Sequence, residues 1–214
     1  MSIQATSSDQ GNSVPFNLRG ESDYRIAKSL TMISGMIRLR AFRGDLVDPQ
    51  AVLLEIADRI DAVGALHSLL ADSISGTVQL SAYLEEICLR GMRALSSCPV
   101  ELSVTCRPEH VVPFRVALPL GLITAELFSN SVKHAHPADA SSKVTIICSR
   151  PSTDTLRYVY QDDGIGLPED FDCVRDGHLG MRLIQSLSER IRGTHLWSSS
   201  PRGIRFELAL PMGD

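Results

Sequence analysis

The sequence predicts an α+β protein in which a two-helix hairpin precedes an α/β sandwich. Two observations support this fold class. Over the first third of the chain, apolar residues recur three and four positions apart, which is the spacing of a buried stripe along a helix. The remainder mixes strand-like alternation with helical segments, as expected for helices that cover one face of a mixed sheet.

The first part of the chain divides into a tail and a helical hairpin. Residues 1–20 are rich in Ser, Gln and Asn without periodicity, and they predict a flexible tail. Residues 21–75 carry two apolar stripes, and the short segment between the helices predicts an antiparallel pair. The stripes consist of Ile26, Leu30, Ile33, Ile37 and Ala41 on the first helix, and of Leu53, Ile56, Ile60, Val63, His67 and Leu70 on the second.

A hairpin of this kind cannot bury both stripes by itself. We therefore expect residues 21–72 to pair with a second copy and form a four-helix bundle in a homodimer. The alternative, in which the stripes pack against the rest of the same chain, stays open.

Residues 76–214 predict a second domain of mixed structure. The segments with strand-like alternation are 100–106, 143–149, 155–162 and 204–211, and the helical segments are 78–95, 119–135 and 180–193. Two of the strands are adjacent in sequence, and the helices lie between the others, so a layer of helices on a mixed sheet is expected.

Charge and composition narrow the class of protein. The net charge of −4 argues against a general binder of nucleic acid or of anionic membranes. No apolar run approaches the roughly 20 residues that a membrane-spanning helix needs. The five cysteines form no CxxC pair, which favours reduced thiols in a cytoplasmic protein over a disulfide framework or a zinc site.

The helical segment 119–135 carries four polar residues on one face. Glu126, Asn130, Lys133 and His134 are offset by four, seven and eight positions. The amide oxygen of Asn130 suits a hard cation such as Mg²⁺, and Lys133 or His134 can meet the charge of a phosphate. Polar helix faces usually just face water, so this segment alone is weak evidence.

Two glycine-containing segments follow. In "QDDGIGLP" (161–168), Asp162 ends a predicted strand, and Gly164 and Gly166 allow the backbone to turn and approach a ligand. A buried carboxylate there can accept a hydrogen bond from the exocyclic amine of adenine. In "DGHLGMRLI" (176–184), Gly177 and Gly180 precede a helix whose backbone N–H groups can cradle phosphates.

Taken in order, these segments resemble the ATP-binding domain of the GHKL superfamily. The stretch "ALPLGLITAELFSNSVKHA", followed by "DDGIGLP", "GHLGMRLI" and "GIRFELALP", looks most like the branch found in HWE-type and related bacterial sensor histidine kinases. The resemblance covers about residues 21–211. One departure is Gly203-Ile204 before the last strand, where the family usually has Gly-Thr.

The resemblance implies a GHKL-type sandwich at residues 76–214 that binds ATP with Mg²⁺. Asn130 would hold the metal, Glu126 and Lys133 would flank the phosphates, and Asp162 would recognise adenine. Glycines would frame the nucleotide lid, namely Gly164, Gly166 and Gly180. It also implies a two-component pathway in which residues 21–75 form the dimerisation and phosphotransfer-like domain and engage the receiver domain of a response regulator or a partner kinase.

The first helix departs from the resemblance at its reactive position. This kinase branch carries patterns like DHRIANSL, whereas residues 23–30 here are "DYRIAKSL". Tyr24 therefore stands where the phosphoaccepting histidine is expected, and a phenol with a pKa near 10 is a poor nucleophile near neutral pH. His67 is the fallback acceptor, although a histidine packed in the core is the favoured interpretation. We expect a degenerate kinase; an active kinase that uses His67 or Tyr24, or an anti-sigma-type protein kinase, are the alternatives.

Overall fold

A computed structural model describes residues 16–42, 49–71, 76–94, 99–107, 109–135, 141–168, 171 and 179–213. The predicted α+β class is confirmed, because helical segments precede a mixed region built on a five-stranded sheet. In chain order the elements are α1 (Phe16–Phe42), α2 (Pro49–Ala71), β1 (Thr77–Gln79), α3 (Leu80–Ala94), β2 (Val100–Thr105), β3 (Val111–Pro113), α4 (Phe114–His134), β4 (Ser142–Ser152), β5 (Thr155–Asp162), α5 (Leu179–Arg190), β6 (Thr194–Ser200) and β7 (Gly203–Pro211).

The main sheet has the strand order β2-β4-β5-β7-β6. Strand β2 pairs in parallel with β4, and the other neighbours are antiparallel. Side chains on β4 alternate between buried and more exposed positions, so one face of the sheet carries the core. The central helix α4 packs against β4 and β5 and lies between α3 and α5. Strands β1 and β3 form a separate two-stranded sheet.

Several predicted element boundaries are wrong. Helix α1 begins at Phe16, so residues 16–20 of the expected tail are helical, and residues 1–15 lie outside the described ranges. The third helix begins at Leu80 because residues 77–79 form β1. Helix α4 begins at Phe114, five residues before the predicted start at residue 119, and it continues through Pro119. Strands β1 and β3 have three residues each, too few to show alternation, and the sequence of β6 is mostly polar, so none of the three was predicted.

The hairpin shares its core with the second domain. Helix α2 packs more extensively on α4 and α3 than on α1. Ile33, Val63 and Leu70 are buried in the same cluster as the sheet residues. The predicted boundary near residue 75 therefore divides the sequence but does not divide the core.

The two apolar stripes are split between two environments. Other members of the stripes stay accessible: Leu30 is 61% exposed, Leu53 66% and Ile60 49%. Packing on the same chain, the alternative left open above, holds for the buried members alone. The exposed stripe members Ile26, Leu30 and Ile37 of α1 and Leu53 and Ile60 of α2, together with the exposed Leu54, are called here the apolar face.

Two helical glycines, Gly121 and Gly35, provide a test of how α3 packs on α4. A Cβ atom at Gly121 would lie 1.9 Å from the hydroxyl oxygen of Tyr83, a fully buried ring on α3, whereas nothing lies within 4 Å of a Cβ at Gly35. We expect Gly121→Ala to lower the free energy of unfolding by about 1–3 kcal/mol, because the ring has to move. Gly35→Ala is expected to raise it by about 0.5–1 kcal/mol. Denaturant unfolding of both variants measures the difference, and equal effects would contradict the packing of α3 on α4.

Candidate functional site

The carboxylate of Asp162 is fixed at the end of β5. It is 3% exposed, and Ser131 on α4 donates a hydrogen bond of 2.6 Å to its Oδ2 atom. The backbone N–H groups of Gly164 and Ile204 each donate to Oδ1 at 3.1 Å. Tyr160 in turn donates to the hydroxyl of Ser131 at 2.9 Å. Three separate elements therefore orient one buried acid.

Strand β7 reaches this acid because residue 203 is glycine. Gly203 has a φ of +115°, and a Cβ atom there would lie 2.1 Å from the backbone oxygen of Asp162. The following Ile204 lacks the hydroxyl expected from the resemblance, but its N–H still bonds Asp162. The sequence reasoning missed Ser131 and Tyr160, because a serine inside a helix and a tyrosine inside a strand carry no signal of their own.

The loop after β5 lies between the end of α4 and strand β6. The N–H of Ile165 donates to the carbonyl of Ala135 at 2.8 Å, and a Cβ at Gly164 would overlap that residue. Gly166 has a φ of +75° and approaches Ser200, while the N–H of Leu167 donates to Ser199 at 2.7 Å. Both glycines are thus required by close backbone contacts. Gly177 lies outside the described residues.

The start of α5 meets the polar face of α4. A Cβ atom at Gly180 would lie 2.6 Å from Oε2 of Glu126 and 3.9 Å from Nδ2 of Asn130. The structure thus brings Glu126, Asn130 and Gly180 together at a helix N-terminus, where backbone N–H groups and the helix dipole favour anions. His134, at the end of α4, is exposed.

Two charged residues of α2 contact the same face of α4, and the sequence reasoning missed both. Arg59 Nε lies 2.5 Å from Glu126 Oε1, and the two side chains are buried. Asp58 Oδ2 lies 3.9 Å from Lys133 Nζ and accepts a hydrogen bond of 3.1 Å from Ser129. Adjacent residues of opposite charge are typical of a solvated helix surface, so the pattern gave no indication of contact.

In both ion pairs, burial and the oppositely charged partner shift the pKa in opposite directions. Burial disfavours the charged form of Arg59, but the Glu126 carboxylate, together with the charges of Glu55 and Asp58, outweighs burial and raises the pKa of the guanidinium. Burial raises the pKa of the Asp58 carboxyl, although Lys133 and the hydrogen bond from Ser129 act in the opposite direction. The pair with Arg59 is the more deeply buried, so it contributes more to the local electrostatics.

The two candidate acceptors lie in different surroundings. His67 Nε2 is 3.0 Å from the hydroxyl of Ser29, and its ring centroid is 6.0 Å from that of Phe114. Tyr24 is 60% exposed, and Lys28 Nζ lies 5.5 Å from its ring centroid. Tyr24 also lines a groove of about 540 Å³ between α1 and α5.

Comparison with known proteins agrees with this arrangement. Residues 115–214 match the family model "Histidine kinase-, DNA gyrase B-, and HSP90-like ATPase", and residues 21–95 match the model "Histidine kinase". Over these two regions the chain is homologous to histidine kinases. The first model describes an ATPase domain, a class of domain that binds ATP, and the second describes a histidine kinase domain.

Individual relatives are sensor histidine kinases. The chain is 27% identical over 197 residues to the sensor histidine kinase PdtaS of Mycobacterium tuberculosis, covering 90% of this chain and 39% of that protein. It is 28% identical to blue-light-activated histidine kinase 2 of Erythrobacter litoralis, covering 86% of this chain and 54% of that protein. The homologue thus spans between two fifths and just over half of these relatives.

A solved structure extends the comparison to three dimensions. The histidine kinase domain of the Erythrobacter litoralis EL346 blue-light-activated kinase superposes with a TM-score of 0.70 at 25% identity, over 90% of this chain and 96% of that domain. In the described part of the homologue no helix is long and apolar enough to span a membrane. Its described residues also include no cluster of three or more His, Cys, Asp or Glu side chains that would bind a metal.

The environment of His67 predicts a pH effect on stability. Burial and the nearby Arg25 lower the pKa of His67. Its contribution to stability is therefore complete above the ordinary value of about 6.5 and is lost as the pH falls below it, because the unfolded chain takes up the proton first. We expect the loss of unfolding free energy between pH 7 and pH 5 to be smaller in His67→Gln. Denaturant unfolding at the two pH values measures this loss. An equal loss in the variant and in the unmodified chain would contradict a lowered pKa of His67.

Proposed function

We propose that this histidine kinase homologue binds ATP with Mg²⁺ and acts in a two-component pathway without phosphorylating itself at position 24. The observation that carries the proposal is the convergence of Asp162, Asn130 and Gly180 around α4. The adenine would lie at Asp162, and the phosphates would lie at the start of α5.

The hydrogen-bond inventory of Asp162 supports its role with adenine. An ionised carboxylate offers about four lone-pair positions. Three are used by Ser131 and by the N–H groups of Gly164 and Ile204, all of which also orient the group. One position on Oδ2 is left for the exocyclic amine of adenine. Guanine presents a carbonyl oxygen at the equivalent position, which a carboxylate repels, so the site favours adenine.

The neighbourhood of Asn130 supports a role in holding Mg²⁺. The ion keeps several waters and is usually held by one or two protein oxygens together with substrate phosphates. Asn130 lies half-buried on α4, opposite the N-terminus of α5. An amide oxygen there would hold the ion against the phosphates, and the ion would neutralise their charge.

Residue 24 is the reason to propose a regulatory role over autophosphorylation. A phenol is almost wholly protonated near neutral pH, whereas imidazole has a free nitrogen lone pair. Asp23 and Lys28 are exposed beside Tyr24 and would form the surface for a receiver domain or a partner kinase. Arg25, also expected on that surface, instead lies with its guanidinium carbon 5.9 Å from the centroid of the Phe114 ring.

The apolar face of α1 and α2 supports a homodimer through residues 21–72. Leu30 and Leu53 are more than half exposed, and a second hairpin would remove them from water. Each buried Leu or Ile side chain contributes about 1.5–3 kcal/mol. Covering these side chains with a second hairpin would therefore favour association.

One observation favours a second candidate function. The exposed ring of Tyr24 is accessible to a phosphoryl donor, whereas His67 Nε2 is already engaged by Ser29. If the chain transfers phosphate to itself, Tyr24 is the better-placed acceptor of the two.

Nucleotide titration tests the binding site. With Mg²⁺ present, Asn130→Ala is expected to weaken ATP binding by about 10- to 100-fold, because a charge-assisted contact to the metal–phosphate group is lost. Gln185→Ala is the matched control, since it removes an amide side chain on α5 that bonds Glu189 instead. A fluorescent ATP analogue reports both affinities, and equal affinities in the two variants would contradict the assignment of Asn130.

Incubation with γ-labelled ATP and Mg²⁺ tests the absence of autophosphorylation. We expect bound nucleotide and no labelled protein. A label stable to acid and alkali that disappears in Tyr24→Phe would establish the second candidate function. A label that is acid-labile and alkali-stable, and that disappears in His67→Gln, would establish histidine phosphorylation and overturn the proposal.

A further inference from the structure

The guanidinium of Arg59 is almost completely buried but only partly bonded. The residue is 1% exposed, and its Nε atom bonds Glu126. Its two other nitrogens, Nη1 and Nη2, are buried, and no described residue offers either of them a hydrogen-bond acceptor. Guanidinium carries five N–H donors, so four remain for another group.

Unused donors of this kind are uncommon and costly. Buried polar groups are nearly always hydrogen-bonded, and a charged group left with unmet donors costs more than a neutral one. The nearby carboxylates of Glu55 and Asp58 act on the charge of Arg59, but neither bonds Nη1 or Nη2. The position therefore suits an acceptor with several oxygens and negative charge.

The surroundings of Arg59 indicate which acceptor fits. Its partner Glu126 uses Oε1 for the ion pair, while Oε2 faces the position of Gly180 at the start of α5. The amide of Asn130 lies near the same position. Arg59 thus bonds, from the helical hairpin, the acid that faces the place where the proposed function puts the phosphates of ATP.

Electrostatics gives an independent reason to expect a cation between Glu126 and a bound triphosphate. A triphosphate beside Glu126 meets a like charge in a partly buried site, which is unfavourable unless a cation lies between them. Arg59 is the cation that contacts Glu126, and a guanidinium can bond a carboxylate and a phosphate at once.

We propose that Arg59 is a phosphate-binding residue that the hairpin supplies to the nucleotide site. Its Nε holds Glu126, and its Nη groups bind the terminal phosphates of ATP. This inference rests on the proposed ATP binding and extends it, because a residue of α2 then responds to the number of phosphates bound. The hairpin would thereby distinguish ATP from ADP.

The test compares ATP, ADP and adenosine on the full chain. In Arg59→Met we expect ATP affinity to fall about 10- to 100-fold, ADP affinity to fall less, and adenosine affinity to change by less than about twofold. Arg90→Met is the matched control, because Arg90 makes a similar contact of 2.7 Å with Glu86 on α3. It is expected to leave all three affinities unchanged.

Arg59→Lys keeps the charge and serves if Arg59→Met does not fold, as judged by circular dichroism. A lysine ammonium cannot hold Glu126 and a phosphate together as well as a guanidinium does. The preference for ATP over adenosine is therefore expected to shrink at least several-fold. An unchanged preference in the folded variants, or an equal loss for all three ligands, would overturn the role of Arg59. Failure of the unmodified chain to bind ATP would instead overturn the proposed function.

Discussion

The ion pair between Arg59 and Glu126 joins the two halves of this molecule. Both side chains are buried, and taking two charges out of water is costly unless they meet in good geometry. Their contact at 2.5 Å joins α2 to α4 beside the apolar core that the two halves share. Because Glu126 also faces the start of α5, the same pair links the hairpin to the candidate nucleotide site.

Around that pair, the site is assembled from groups that are distant in sequence. Asp162 is held by α4, by its own loop and by β7, and Gly203 is needed because no side chain fits against the carbonyl of Asp162. These contacts restrict the acid to one orientation before any ligand arrives. Preorganisation of this kind lowers the cost of binding, since few groups have to be ordered afterwards.

The sequence predicted the helices and the longer strands because their periodicity is local. Short segments with a recognisable order also predicted nucleotide-binding roles for Asn130, Asp162 and the glycines, and those roles stay predictions. It did not predict Ser131, Arg59 or Asp58, since the partner of each lies 31 to 71 residues away and only the packing of α2 on α4 and of β5 beside α4 brings them together. The sequence also could not predict which stripe residues are buried and which are exposed, because periodicity gives the apolar face of a helix but not the surface that covers it.

The split stripes have a consequence for how assembly and ligand binding communicate. Within the same stripes, Ile33 and Val63 are committed to the core of the chain, whereas Leu30 and Leu53 are exposed to solvent. A second hairpin can cover the exposed members without displacing the buried ones, so the two sets of contacts add and do not compete. A coupling free energy between association of two hairpins and ligand occupancy would then have to be transmitted by the helices. Helix α2 carries the exposed Leu53 and also packs on α4, which bears the candidate site.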